Sequence, residues 1–273
     1  MINENHETLV SVIMNCRNSD RFLEEAIKSV FAQTYSNWEI IFYDNLSTDK
    51  SPEIANRFIG KLKYFRGSVP LSLGEARNEA IKHASGKYIA ILDCDDLWYP
   101  EKLEKQVGLI EKNPEAVLVY SNCHFINENG ESIKPILIPR KPPENVSPAF
   151  SLISERCFIP CPTIMLKMES IKKVGGFDNR YHFAEEYDLC VKAALTGKIN
   201  YIDEPLASYR IHGSNASIAG VADLFEETIL VMKNAAKQIH HLTIIEKIKL
   251  NYRFVFLRLL IVWIKFKIFI KIN

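Results

Sequence analysis

Within the first 120 residues, short apolar runs of strand character alternate with segments whose apolar residues recur at helical spacing. No other feature of the sequence limits the fold as sharply. Residues 9–14 (LVSVIM) form the first run. Residues 21–35 follow, with Phe22, Leu23, Ala26, Ile27, Val30 and Phe31 along one helical face. Further strands are predicted over 38–43, weakly over 62–65, over 88–92 and over 116–120. Between them helices are predicted from Ser51-Pro52, over 74–84 with a stop at Ser85-Gly86, and over 100–113 behind a proline. Repeated strand–helix–strand units imply an α/β fold: a mostly parallel sheet with helices on both faces.

After residue 120 the alternation breaks. Asn129-Gly130 between two short extended runs is a hairpin signal, and residues 135–148 read as a proline-rich loop. A strand over 163–167, a short helix ending at Gly175-Gly176, a helix over 187–195 and two short strands over 199–202 and 206–210 make a smaller α+β lobe.

The chain has 273 residues, 47% hydrophobic and 25% charged, so it can bury a sizeable core, and disordered or fibrous classes are excluded. With 34 Lys+Arg against 33 Asp+Glu there is no global attraction to nucleic acid. Cysteines at 16, 94, 123, 157, 161 and 190 are too sparse for a disulfide framework. Cys157 and Cys161 lack a second Cys/His pair at ligand spacing, which argues against zinc, so all six are read as thiols of a reducing compartment. The N-terminus shows no basic region followed by a long apolar stretch. The sequons at Asn45, Asn145 and Asn215 are therefore read as chance in a cytoplasmic protein.

In open parallel sheets ligands bind beyond the carboxyl ends of the strands, and three such ends here are polar. The first carries Asn15-Cys16-Arg17-Asn18, the second Asp44-Asn45-Leu46-Ser47-Thr48-Asp49, and the fourth Asp93-Cys94-Asp95-Asp96. Three carboxylates in four residues at the end of an apolar strand repel one another. A hard divalent cation relieves that repulsion; the alternative is an acidic turn in which Asp95 or Asp96 caps the next helix. The glycine-rich phosphate cradles GxxxxGK[ST] and GxGxxG are missing.

The segments VSVIMNCRNSDRFLEEAIKSVFAQTYSNWEIIFYDNLSTDKS and GEARNEAIKHASGKYIAILDCDDLWYPEKLEKQV, followed by VGGFDNRY, AEEYDLCVKAA and YRIHGSNAS, resemble the glycosyltransferase family 2 enzymes in five ordered blocks over residues 9–217. The resemblance implies a GT-A (Rossmann-like) fold and an inverting transferase of the hexosyltransferase type. Its donor would be a nucleotide-diphosphate sugar, UDP before GDP or TDP, and its acceptor the hydroxyl of a glycan or lipid-linked molecule, as in bacterial surface polysaccharide assembly. It also implies a division into a donor-binding half (1–122), an acceptor and catalytic-base half (123–220) and a helical, basic-hydrophobic tail (221–273).

Carried over position by position, Asp44 reads the nucleobase, with Asn45 and Leu46 departing from the usual Asp-Gly. Asn15 and Arg17 lie near base and phosphate. Arg77 pairs either with a phosphate or with a strand-end acid. Asp93 and Asp95 match the DxD signature and, with His212, are the expected ligands of Mn²⁺ or Mg²⁺; Arg210 is a phosphate candidate. Asp96 touches the donor sugar or caps the helix, and Trp98 either lines the sugar pocket or packs. Glu186 matches the general base, with Glu185 as substitute and helix-terminal charge as the alternative role for one of them. Asp188 holds the helix start or a neighbouring loop, and Gly175-Gly176-Phe177-Asp178 is a turn that packs the acceptor lobe. His6, His83, His124, His182, His240 and His241 belong to no constellation. Two competing readings are weighed: a metal-dependent phosphotransfer enzyme, which would want a glycine-rich loop, and a non-catalytic nucleotide-sugar-binding or membrane-adaptor protein, which would want a missing acid.

Residues 244–273 carry seven Lys/Arg and one Glu. The best apolar window, 254–264, is shorter than the ~20 residues a span needs and contains Arg258. Arg258 and Lys265 lie nearly opposite Lys267 and Lys271 on a helical wheel. A helix in the headgroup region, placing the protein peripherally on the inner face of the membrane, is expected; packing on the catalytic domain or on another subunit of a homo-oligomer is the alternative.

Overall fold

The computed structural model describes residues 8–135, 139–143, 146–155, 158–215, 220–239 and 242–272, with side chains as far as residue 265. His6, Asn145, Cys157, Ala216, Ser217, His240 and His241 lie outside the described residues, as do the side chains of Lys267 and Lys271.

The elements, in chain order, are β1 (Val10–Cys16), α1 (Asp20–Phe31), β2 (Trp38–Asp44), α2 (Ser51–Asn56), β3 (Leu62–Arg66), α3 (Leu73–Lys82), β4 (Tyr88–Ile91), β5 (Leu97–Trp98), α4 (Lys102–Lys112) and β6 (Ala116–Asn127). They continue with α5 (Pro148–Ser154), β7 (Met165–Lys167), α6 (Met168–Val174), α7 (Glu185–Ala194), β8 (Lys198–Ile211), α8 (Val221–Gln238) and α9 (Ile244–Ile272). The strands form one sheet in the order β3-β2-β1-β4-β7-β6-β8-β5. Pairings among β1 to β4 and between β6 and β8 are parallel; β7 and β5 pair antiparallel. The expected α/β architecture is therefore present.

Strand alternation distributes the core over two faces. Val10, Val12, Met14, Ile40 and Phe42 meet α1, α2 and α4, while Ile13, Ile41, Ile89 and Ile91 meet α3, α5, α7, α8 and α9. Each fully buried aliphatic chain stabilises by roughly 1.5–3 kcal/mol. Two helices begin with a side-chain capping box, Ser72 with Glu75 at α3 and Thr243 with Glu246 at α9.

Three features differ from the sequence reading. β6 continues through the polar Ser121-Asn122 to Asn127, so the boundary at 122/123 falls inside a strand and both halves contribute to the same sheet. The two short strands expected over 199–210 are one strand, β8. Pro205, which donates no backbone hydrogen bond, is absorbed at a register shift opposite Asn122. No helix follows the acidic segment directly, since Leu97–Trp98 pairs with β8 first. The hairpin at Asn129-Gly130 is present, with Gly130 at φ 81° and Ile126 bridged to Ser132. Gly175 ends α6 in the left-handed conformation, and the Phe177 backbone exchanges two hydrogen bonds with the Asn78 amide, so this turn ties onto α3 of the donor-side half, beyond the acceptor lobe it was expected to pack.

The order β2-β1-β4 reverses the winding of the chain at β1, which opens a crevice between the carboxyl ends of β1 and β4. That crevice depends on close approach of the segment leading into β4. A Cβ on Gly86 would lie 2.6 Å from the Ser11 nitrogen and 2.9 Å from the Leu9 carbonyl oxygen. Gly86→Ala is expected to cost about 1–3 kcal/mol of stability, seen as a lower urea midpoint with unchanged slope.

Candidate active site

Arg77 lies on the buried face of α3 with its side chain 1% exposed. Its guanidinium gathers acids from both halves of the chain: Nη2 donates to Asp93 Oδ1 at 2.7 Å, and Nη1 reaches Glu186 Oε1 at 2.9 Å and Glu185 Oε1 at 3.2 Å. Burial opposes its charge, but Asp93, Glu186 and Glu185 hold its pKa well above the ordinary value. Of the two roles the sequence left open for Arg77, the structure shows the ion pair with strand-end and helix-start acids.

Glu185 and Glu186 occupy the first turn of α7. Glu185 is 2% exposed and Glu186 22%. Burial first, and then the charge of Glu186, push the Glu185 carboxyl up to about 9 against the pull of Arg77. Burial thus favours the neutral form of Glu185 over its charged form, and Glu186, the more open of the two, presents its carboxyl to the crevice. Asp188 sits in the same turn and pairs with Lys192 at 2.8 Å.

A residue the sequence did not single out sets this helix. Glu227, from α8, accepts hydrogen bonds from the backbone N–H groups of His182, Phe183 and Ala184 at 2.8–3.0 Å. Ala184 is the N-cap of α7 and has no capping side chain of its own. The carboxylate of another helix therefore satisfies the orphan donors that precede Glu185 and Glu186. Glu227 lies in a plain amphipathic helix, and no local signal marks it.

The acidic segment after β4 divides its labour. Asp95 Oδ2 lies 2.8 Å from His212 Nε2, with the Asn215 amide at 3.4 Å. Burial, then the Asp93 charge, raise the Asp95 pKa against the effect of His212. His212 Nδ1 meets the Ser214 hydroxyl at 2.9 Å, and its ring packs against Phe22. Asp96 is only 1% exposed and accepts from the Arg210 backbone N–H at 2.8 Å. It caps no helix, α4 being opened by Glu101, which corrects that alternative: its carboxyl pins the end of β8 beneath the acidic turn. Burial, with Asp95 and Asp93 adding, keeps its carboxyl well above the usual range. Arg210 is likewise internal, donating to the Asp95 carbonyl and to Glu25, each at 2.8 Å. Trp98 packs, its indole N–H on the Pro162 carbonyl and its face under Lys102.

Across the crevice, the Asp44 side chain is completely buried. One oxygen accepts from the Ser47 N–H at 2.7 Å, and the other from Tyr64 at 2.6 Å and Arg66 at 2.7 Å. The expected base-reading acceptor is engaged internally, because the β3 residues Tyr64 and Arg66 close over it. Leu46 takes φ 62°, so the turn keeps a backbone that favours glycine while carrying leucine. Asn45 exchanges two hydrogen bonds with the Leu71 backbone. Arg17 is exposed beyond β1. Both polar atoms of the Asn15 amide are buried without a protein partner at the switch point.

Two groupings can be weighed as cation sites. Asp93, Cys161 and Glu186 bring ligand atoms within 4.8 Å of one another, but the Arg77 guanidinium already sits among them and supplies the positive charge. Asp95 and His212 converge at 2.8 Å with no guanidinium between them among the described residues; the Asp95 oxygen suits Mn²⁺ or Mg²⁺, and the His212 nitrogen fits Mn²⁺ better than the oxygen-preferring Mg²⁺. Cys16, Cys94, Cys123, Cys161 and Cys190 are free thiols.

Two outcomes are expected. Glu227→Ala strips the acceptor from three N–H groups and is expected to lower stability by about 1–3 kcal/mol, read as a lower urea midpoint. A carboxyl whose folded pKa is raised is fully compatible with folding below its unfolded pKa and penalises folding as pH rises. Stability is therefore expected to decline between about pH 5 and 9 as Glu185 is forced to ionise, and Glu185→Gln to flatten that decline in thermal melts across the range.

The chain matches the model for Glycosyl transferase family 2 over residues 11–175. It is 33% identical to an uncharacterized glycosyltransferase of Methanocaldococcus jannaschii, over 77% of this chain and 73% of that one. It is also 33% identical to UDP-Glc:alpha-D-GlcNAc-diphosphoundecaprenol beta-1,3-glucosyltransferase WfgD of Escherichia coli, over 77% and 79%. Amylovoran biosynthesis glycosyltransferase AmsB of Erwinia amylovora is 32% identical over 74% and 69%. Among solved structures, Staphylococcus aureus TarS with UDP-GlcNAc superposes with TM-score 0.72 at 19% identity, covering 88% of this chain and 70% of that one. The Pyrobaculum calidifontis mannosyltransferase with GDP-Man and Mn²⁺ gives TM-score 0.69 at 17% identity, covering 95% and 72%. The shared fold, the family match and the convergence of the acidic turn with the α7 acids carry one conclusion: this chain belongs to glycosyltransferase family 2 and is a glycosyltransferase.

Proposed function

We propose that the protein transfers a sugar, with inversion, from a nucleotide-diphosphate sugar, UDP-linked before GDP- or TDP-linked, to a hydroxyl of a glycan or lipid-linked acceptor in surface polysaccharide assembly. The observation that carries this reading is the Arg77 bridge. It holds Asp93, at the end of the donor-side strand, and Glu186, at the start of α7, on one guanidinium. Bond making and bond breaking need a leaving diphosphate and a proton acceptor within one sugar of each other, and this bridge fixes the corresponding groups together.

In this reading the acceptor oxygen attacks the anomeric carbon from the Glu186 side and its proton passes to the Glu186 carboxylate. The bond from the anomeric carbon to the diphosphate oxygen breaks, and the electron pair leaves with the nucleotide. Glu185, whose burial favours the protonated form, does not compete for the proton; it and Arg77 orient the base. Asp95 and His212 would hold a divalent cation, whose contribution when bound is to neutralise charge developing on the diphosphate. Asn15 and Arg17, at the end of β1, flank the route of the nucleotide at the switch point. The UDP preference draws support from the names of WfgD and of the TarS complex, and the cation from the Mn²⁺-bound mannosyltransferase. The free thiols favour a cytoplasmic setting.

Calorimetric titration with UDP, GDP and TDP, each with Mn²⁺ and with EDTA, tests the donor site. One nucleotide is expected to bind only with the metal, and Asp95→Ala to abolish that binding. Glu186→Gln is expected to keep nucleotide affinity and to lose about 10²–10⁴ in turnover. Binding that ignores both metal and Asp95 overturns the donor-site assignment.

A further inference from the structure

The helix α9 carries apolar residues on two opposite sides. Leu250, Leu257 and Ile261 are buried in the core beside α5 and α8, and Lys265 pairs with Glu226 of α8 at 2.6 Å. Ile245, Ile248, Tyr252, Phe256, Leu259 and Trp263 are exposed. They follow one another at steps of three and four, and with the exposed Ile244, Val255 and Val262 they fall within an arc of about 120° opposite Leu250, Leu257 and Ile261; Ile248, Tyr252 and Phe256 also edge a cleft beside Ser154 and Glu155.

Charge says what covers this stripe. Exposed Lys247 and Arg258 border one edge and exposed Lys249 the other. Over residues 244–272 seven Lys/Arg stand against Glu246 alone. A second copy brought to the same face would set these cations against one another with almost no acid to pair them. An anionic lipid surface accepts both features: the stripe enters the acyl boundary and the flanking cations reach the headgroups. No helix among the described residues is long and apolar enough to cross a membrane, which leaves the in-plane orientation.

We propose that α9 docks the protein flat on a bilayer containing anionic phospholipid, through the face from Ile245 to Trp263. The docking needs neither donor nor acceptor, so it stands or falls apart from the transferase reading.

The protein carries its own reporter. Trp263 is 53% exposed on this face, while Trp38 and Trp98 are 6% and 3% exposed in the core. Full-length protein is mixed with vesicles of phosphatidylglycerol and phosphatidylcholine, or of phosphatidylcholine alone, and floated on a density gradient. Flotation is expected with the anionic vesicles, weakened by salt, with a blue shift of tryptophan emission and quenching by brominated acyl chains. The combined change Lys247→Gln, Lys249→Gln and Arg258→Gln is expected to lower partitioning roughly a hundredfold, at about fivefold per cation. Leu259→Asp is expected to abolish flotation while circular dichroism and nucleotide binding are unchanged. Failure to float with either vesicle overturns the proposal. So does flotation that neither variant alters, and so does a dimer, broken by Leu259→Asp, that stays off the vesicles.

Discussion

A single buried guanidinium organises the reactive centre. Taking Arg77 out of water costs several kcal/mol, and only close, well-oriented counter-charges repay that cost. Three carboxylates surround it, one after β4 and two opening α7. Those acids come from segments almost a hundred residues apart, and without the cation Asp93 and Glu186 would repel one another in a low-dielectric setting. The Arg77 contact therefore makes the crevice geometry a condition of folding: the donor-side turn and the base helix are close because Arg77 cannot be left unpaired.

The same logic separates the acids by environment. Asp93 and Glu186 keep about a quarter of their side-chain surface open to the crevice, whereas Glu185 and Asp96 are almost completely covered. Covered carboxyls favour the neutral form, so Glu185 and Asp96 serve as hydrogen-bonding struts. Asp96 holds the Arg210 backbone, which places the neighbouring His212 opposite Asp95. Glu227 plays the corresponding part for α7. Reactive groups at the crevice rim thus rest on a layer of acids whose work is done from beneath.

The sequence made the strand–helix alternation legible because parallel strands buried on both faces read as continuous apolar runs, and β1, β2 and β4 do so. It missed the length of β6 and β8, since Ser121-Asn122 and Asp203-Glu204-Pro205 look like breaks until pairing across the sheet absorbs them in bulges. Candidate site residues were legible where chemistry and position coincide, as for Asp93, Asp95, Glu186 and His212. Their partnerships were not. Asp44 has the right residue type at the right strand end, yet Tyr64 and Arg66 from a strand of weak signal claim both its exposure and one of its oxygens. Glu227 has no spacing relation to the helix it caps, and only the packing of α8 brings it there.

The placement of α8 also joins the two ends of the functional argument. Its neighbouring acids face different partners: Glu227 fixes the backbone that leads into Glu185 and Glu186, while Glu226 pairs with Lys265 on α9. The helix that presents an apolar face to the outside is thereby one residue removed, through α8, from the clamp on the backbone that leads into Glu185 and Glu186. A rigid α8 makes the outer face of α9 and the crevice parts of one body, and docking on a surface would then hold the crevice at a set height and tilt above it. For a transferase whose acceptor is itself held in a membrane, that geometry turns a search in three dimensions into one along a plane.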